Sequence, residues 1–305
     1  MMTFENWCLY WLEHYKKRFV RDSTYDSYLQ AAAHITCRRR LRFIRLDDLQ
    51  DVVNEMIDAG LAASTIKHTV TVMRQAHRKA VKLGKCKKID FSELELPRSI
   101  GAKVKALTAT EQQKILKCCS YSFYGDFFLF LMNTGLRVGE AIALRWSDID
   151  FRAGTARIER ADYRGKLHTP KTDDGKREIP LTVTALRLLQ ENYKIGSELC
   201  WRNTLGCKIS YRSALDAYKR IIERAGIRDC GLHILRHTFA TNCLAAGVDM
   251  KVLSEILGHK SIVVTANIYT DVFPAQKSDA AERLTAYLDR LLDAPQEYPT
   301  PRQRY

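Results

Sequence analysis

The chain has no apolar run approaching the roughly 18 residues that a membrane-spanning helix needs, so an integral helical membrane protein is excluded and a soluble one expected. Its nine cysteines are odd in number, scattered, and contain no Cys-x-x-Cys pair. That pattern argues against a disulfide framework or a zinc site and for reduced thiols in a cytoplasmic protein. The opening MMTFENWCLYWLEHYKKR lacks a basic start, an unbroken apolar block and a small-residue cleavage site, so export is not expected. No internal repeat is visible. Acidic residues are in deficit: 35 Asp and Glu against 49 Lys and Arg leave a net charge of +14. Such a balance points to a polyanionic partner, nucleic acid first and an anionic membrane surface second.

A length of 305 residues suits two ordinary domains, each with its own core. The expected fold is mainly α with a small antiparallel β-meander: a helical domain over residues 1–92, a linker at 93–106 with Pro and Gly in ELPRSIGAKVKA, an α+β domain at 107–294, and a disordered tail at 295–305. Phe4, Trp7, Cys8, Trp11 and Leu12 recur at helical spacing, and Ser23 with Asp26 reads as a capping box opening the next helix. The helix STIKHTVTVMRQAHRKAVKLGK sets Ile66, Val70, Met73 and Ala80 on one face and Lys67, Thr71, Arg74, Arg78 and Lys82 on the other. Together with the basic run CRRRLRFIR this face predicts a concave surface that follows the phosphates of double-stranded DNA. In the second domain Thr108 and Glu111 form a capping box, Gly135 breaks a helix ahead of Arg137, and TARIER, GKLHTPK and KREIPL read as three strands of a meander whose last turn is TDDG.

The chemistry-bearing residues lie in the second domain. His233 and Arg236, three apart at the start of a helix, share a side and are expected to face outward, where a helix N-terminus favours an anion. Arg137 also stands at a helix start, and two guanidinium forks could grip the two non-bridging oxygens of one phosphodiester. Lys171, after Pro170 of the hairpin, is placed to lend a proton. His259 follows the Gly258 that ends a helix, and Tyr269 lies ten residues on. A phenol with a pKa near 10 needs cations around it to act as a nucleophile, and the five other residues supply them.

Other readings compete. Asp148 with Asp150 and Asp173 with Asp174 could hold two metals in a nuclease, although DDG reads more simply as a turn. LRHTFATNCLAAGVDMKVLSEIL resembles a helix-turn-helix, which would make the protein a non-enzymatic DNA-binding regulator, but leaves Arg137, Lys171 and Tyr269 without a role.

TGLRVGE, PKTDDGKREIPL, HILRHTFAT, LGHKS and NIYTDV, in that order, resemble the motifs of the tyrosine recombinases, the phage integrase family, over nearly the whole chain. The resemblance implies a helical core-binding domain and a catalytic domain that cut and rejoin DNA through a 3′-phosphotyrosyl intermediate. Tyr269 would be the nucleophile, Lys171 the general acid, Arg137 and Arg236 the holders of the non-bridging oxygens, and His233 and His259 their helpers, with Glu140 behind Arg137. No metal or cofactor is implied. The apolar stripe Leu284, Tyr287, Leu288, Leu291 and Leu292, in a helix at 280–294, would dock on a neighbouring subunit to make a homo-tetramer on two DNA sites, which separates this reading from a monomeric type IB topoisomerase. Two departures stand out: Ile234 replaces the acidic residue of many members, and the additional arm-binding domain of some integrases has no expected counterpart. The biological task implied is integration and excision of a mobile element, with resolution of replicon dimers as the alternative.

Overall fold

The computed structural model describes residues 2–98, 106–168, 176–259, 261 and 266. The chain divides into two compact units, Met1–Lys103 and Val104–Tyr305. Among the described residues no helix is long and apolar enough to cross a membrane.

The first unit is a bundle of α1 (Phe4–Tyr15), α2 (Asp22–Ala32), α3 (Leu46–Asp58) and α4 (Ala63–Lys82). Thr3 caps α1 by accepting from the Asn6 N–H, and Phe4, Trp7, Cys8, Trp11 and Leu12 are its buried residues, the spacing read from sequence. The Trp7 indole donates to the Ala76 carbonyl of α4 at 2.9 Å, so even the polar atom of this core ring is satisfied. α2 starts one residue before the expected cap: Arg21 is the N-cap, makes no side-chain cap bond, and Ser23 already lies within the first turn. Asp22 supplies that turn with negative charge instead.

The second unit begins with α5 (Ala109–Cys119), opened by the expected Thr108–Glu111 capping box, and α6 (Gly125–Thr134). Gly135 closes α6 at φ 64°, and a Cβ there would stand 2.3 Å from the Phe239 ring, so both backbone and space call for glycine. α7 (Val138–Ile142) follows, then β1 (Ile149–Asp150), β2 (Thr155–Ile158), β3 (Ala161–Tyr163), β4 (Lys166–His168) and β5 (Arg177–Pro180). After these come α8 (Val183–Glu191), α9 (Tyr211–Ala225), α10 (His233–Ala245) and α11 (Met250–Leu257). The core joins Phe127, Phe128, Phe130 and Leu131 of α6 to Ala156, Ile158 and Ile179 of the sheet and to Tyr218, Ile221, Ile222 and Leu235.

The sheet is small and antiparallel, but its connectivity differs from a consecutive meander. TARIER pairs directly with KREIPL in the order β1-β2-β5, while GKLH pairs with ADY in a separate two-stranded hairpin, β3-β4. The cause is a turn the sequence reading passed over: Arg164 and Gly165 both take positive φ, 50° and 84°, the requirement of a tight two-residue hairpin, and Asp162 accepts from the Gly165 N–H at 3.0 Å. Lys208 ties the hairpin down by bonding Asp162 and the Gly165 carbonyl. A Cβ on Gly139 would stand 2.4 Å from the Asp162 carbonyl oxygen, so α7 lies almost in contact with β3.

Candidate active site

Arg137 is the N-cap of α7, as its position after Gly135 predicts. Its backbone N–H donates to Glu140 Oε2 at 2.9 Å and its Nη1 to Glu140 Oε1 at 2.8 Å. The side chain remains 45% exposed, which leaves donors open toward solvent. Arg236 departs from expectation: it does not face outward beside His233 but is buried, 3% exposed. Its Nη1 donates to the Gly135 carbonyl at 2.9 Å and its Nη2 to the Leu257 carbonyl at 2.5 Å, and it stands 4.0 Å from Glu140. α10 is covered on several sides at its start, with Ile234, Leu235, Arg236 and Thr238 all buried, so the three-residue spacing from His233 did not separate an exposed face from a packed one. His233 itself is exposed.

Arg177 of β5 completes the group, and the sequence reading missed it. Its Nη2 and Nη1 meet the two Glu140 oxygens at 2.9 and 3.2 Å, and its side chain is 8% exposed. A signal was present: in a strand residues two apart share a face, and Ile179 is core, so Arg177 had to point inward. Glu140, 7% exposed, therefore serves Arg137 and Arg177 directly with Arg236 close by. Burial pushes its carboxyl up, but the Arg177 hydrogen bonds and charge, then those of Arg137, outweigh it and hold the pKa near 2. Burial and the neighbouring Arg137 pull Arg236 down to about 9, still charged at neutral pH. Three guanidiniums around one carboxylate leave a surplus of two positive charges.

His259 follows α11, its N–H bonded to the Ser254 carbonyl at 3.0 Å. Burial, then Arg236, Arg137, His233 and Arg177 lower its pKa to about 4. His233 is lowered in the same way, by desolvation of its ring and by Arg236, Arg137 and His237. Both imidazoles are thus shifted to the neutral form, able to donate one hydrogen bond each, so they are not two of the five cations expected from sequence. Arg137, His233, Arg236 and His259 are brought together; Lys171 and Tyr269 lie outside the described residues.

The rival metal site is not assembled from the described acids. Asp148 gives both oxygens to Arg160, at 2.5 and 2.6 Å, and accepts the Arg145 N–H, while Asp150 accepts the N–H groups of Arg152 and Ala153. Asp173 and Asp174 lie outside the described residues. In the first unit Lys67, Thr71, Arg74, Arg78 and Lys82 are all exposed on α4. Arg74, Arg78 and Lys82 line a hollow with Lys88 and Phe91; a second hollow is lined by Arg38, Arg39, Arg40, Arg42, Arg45 and Lys87. Lys87 and Lys88, adjacent in the chain, give one side chain to each, an addition the sequence reading did not make.

Three arginines are thus gathered on a single carboxylate at helix ends, in an α+β unit that follows a helical one. A family profile described as the phage integrase family matches residues 102–276, more than half of the sequence, and the chain belongs to that family. It is 29% identical over 280 residues to a XerC-like tyrosine recombinase of Caldanaerobacter subterraneus subsp. tengcongensis, covering 80% of this chain and 72% of that one. It is 24% identical over 262 residues to the ICEBs1 integrase of Bacillus subtilis, covering 78% and 69%. Among solved structures, the Tn1549 transposon integrase in complex with a circular intermediate DNA superposes with a TM-score of 0.80 at 19% identity, covering 93% of this chain and all of that one. A lambda integrase dimer bound to a core site superposes at 0.73 with 23% identity, covering 90% and 79%. At these identities the structural likeness establishes the fold. Family and relatives make the protein a site-specific recombinase, an enzyme of DNA strand exchange.

Proposed function

We propose that the protein cuts and rejoins double-stranded DNA by attack of Tyr269 on a phosphodiester, giving a 3′-phosphotyrosyl bond and a free 5′-hydroxyl that is later re-used. Attack builds charge on the non-bridging oxygens, and a five-coordinate phosphorane carries two negative charges. The single observation that carries the reading is the fixed surplus of two positive charges around Glu140, opening toward solvent at Arg137. Donors fixed before substrate arrives stabilise such charge without reorganising, and positioning with fixed charge accounts for most of phosphoryl-transfer catalysis. Arg137 and Arg236 hold the oxygens, neutral His233 and His259 donate one hydrogen bond each, and Lys171 protonates the leaving 5′-oxygen.

Residues 1–92 clamp the duplex through the basic face of α4, 93–106 link it to the catalytic domain at 107–294, and the segment 280–294, outside the described residues, docks on a neighbouring subunit in a homo-tetramer. A lambda integrase tetramer bound to a Holliday junction, similar in fold at a TM-score of 0.71, supports that assembly. Similarity to the ICEBs1 and Tn1549 integrases supports integration and excision of a mobile element as the task.

The test is a denaturing gel of labelled attachment-site DNA incubated without divalent metal. The parent should give a protein-linked band and Tyr269→Phe none, while both bind the DNA. Equal bands would assign the nucleophile elsewhere; no band from the parent would sink the chemistry.

A further inference from the structure

We propose that Arg177 is a positioning residue for strand cleavage: it fixes Glu140 beneath Arg137 and Arg236 and pins the end of α11, so that His259 is held at the phosphate. This rests on the recombinase reading above. The last carbonyls of any α-helix lack partners within the helix and carry its negative end. At the end of α11 three successive carbonyls are met by three arginines from three different elements. Arg177 Nε of β5 bonds Ile256 at 2.6 Å, Arg236 Nη2 of α10 bonds Leu257 at 2.5 Å, and Arg137 Nη2 at the start of α7 reaches Gly258 at 3.4 Å. The next residue is His259.

All three nitrogens of Arg177 meet protein acceptors. Its Nε takes the helix end, Nη1 and Nη2 take the two Glu140 oxygens, and its side chain is 8% exposed. It therefore acts through others. Gly258 is shaped around it: the backbone has φ 64°, and a Cβ there would stand 3.0 Å from Arg177 Nη1 and 3.1 Å from its Cδ, so the chain passes flat against the guanidinium. Holding a carboxylate with two donors while a third points elsewhere requires a planar fork, which a lysine lacks. Neutralising Glu140 from behind also leaves the open donors of Arg137 to face the phosphate.

Two variants test this, Arg177→Lys, which keeps the charge and loses the fork, and Arg177→Met, which loses both. Single-turnover cleavage of a nicked substrate carrying the attachment junction should fall about tenfold or more in the first and about a hundredfold in the second, with DNA affinity within about threefold of the parent. A second readout needs no DNA: the imidazole titration of His259, followed by NMR and assigned with His259→Gln. His259 faces Arg236 and His233 of α10, Arg137 of α7 and Arg177 of β5, so losing one cation and loosening the helix end should move its midpoint upward in Arg177→Met. Parent-like cleavage by Arg177→Lys, or an unmoved His259 titration in Arg177→Met, would overturn the proposal. A parent that forms no Tyr269 adduct would overturn the recombinase chemistry instead, and the His259 titration would then decide the clamp alone.

Discussion

Arg137 and Arg236 are given one role by the phosphate-gripping reading, yet the structure holds them so differently that their removal should have separable consequences. Arg236 is 3% exposed and donates to two main-chain carbonyls, Gly135 after α6 and Leu257 at the end of α11. Arg236→Ala strands both carbonyls in the interior and leaves a cavity. Hydrogen bonds to charged groups contribute about 1.5–3 kcal/mol each, so the gross loss is about 3–6 kcal/mol. Relief of repulsion from Arg137 and of the guanidinium's own desolvation offsets part of it, leaving about 2–4 kcal/mol. Arg137 is 45% exposed, and in Arg137→Ala the residue's N–H still donates to Glu140 while Arg177 still neutralises the carboxylate. Loss of this partly exposed ion pair should cost about 1 kcal/mol or less.

The assay is urea unfolding of the catalytic unit beside cleavage of a nicked substrate. At a slope of about 2–3 kcal/mol per molar urea, Arg236→Ala should lower the midpoint by about 0.7–2 M and Arg137→Ala by less than about 0.5 M. Both should slow cleavage about a hundredfold or more. Inorganic phosphate should raise the parent's midpoint more than that of either variant, because an anion bound only by the folded state stabilises it. Equal urea midpoints for the two variants would refute the argument that Arg236 holds two helix ends as well as a phosphate.

Gly139→Ala should destabilise by about 1–3 kcal/mol and slow cleavage, since its Cβ would meet the Asp162 carbonyl at 2.4 Å and push β3-β4 from α7; unchanged thermal and cleavage data would remove that contact from the account. His259, near pKa 4 when folded through burial first and then its four cationic or imidazole neighbours, is close to 6.5 when unfolded, so below pH 6.5 the unfolded chain takes up a proton that the folded one refuses. Stability should therefore drop as pH falls from about 6.5 toward 4, by about 1 kcal/mol from this group between pH 7 and 5 after allowance for solvent screening, and urea titrations of His259→Gln should show a correspondingly smaller drop. Replacing Arg74 and Arg78 together by Ala should weaken DNA binding and flatten its dependence on salt by about two counterions' worth of slope; an unchanged slope would return that face of α4 to ordinary solvated surface.

Much of this molecule was legible because local chemistry and tertiary structure agree. Thr108 and Glu111 cap α5, Gly135 ends α6 and delivers Arg137 to a helix start, and the basic residues of α4 are exposed where period 3.6 puts them. What was misread depended on contacts between distant segments. The meander failed because Arg164, a residue seldom found at positive φ, makes the hairpin turn beside Gly165, drawing β3 onto β4 and leaving β2 to β5. Arg236 was placed on a solvent face because spacing along one helix says nothing of how many sides that helix buries. Arg177 carries no motif of its own and is signalled only by strand alternation, which sets it on the face of core Ile179. For Lys171 and Tyr269 the sequence remains the whole argument, since both lie outside the described residues.

Why should a site for a phosphate keep a carboxylate at its centre? Three guanidiniums gathered without a counter-charge would repel one another, and the lowered pKa of Arg236 records burial plus Arg137 repulsion even with Glu140 present. One carboxylate, itself held ionised near pKa 2, offsets a single charge and orients two of the forks, leaving a surplus that only an incoming anion can neutralise. On the proposed reading, that surplus is offset in proportion to the charge on the bound phosphate. A ground-state phosphodiester carries one negative charge and the phosphorane two, so the offset is larger in the transition state than in the bound substrate. That difference, rather than tight binding of DNA, is what accelerates a reaction.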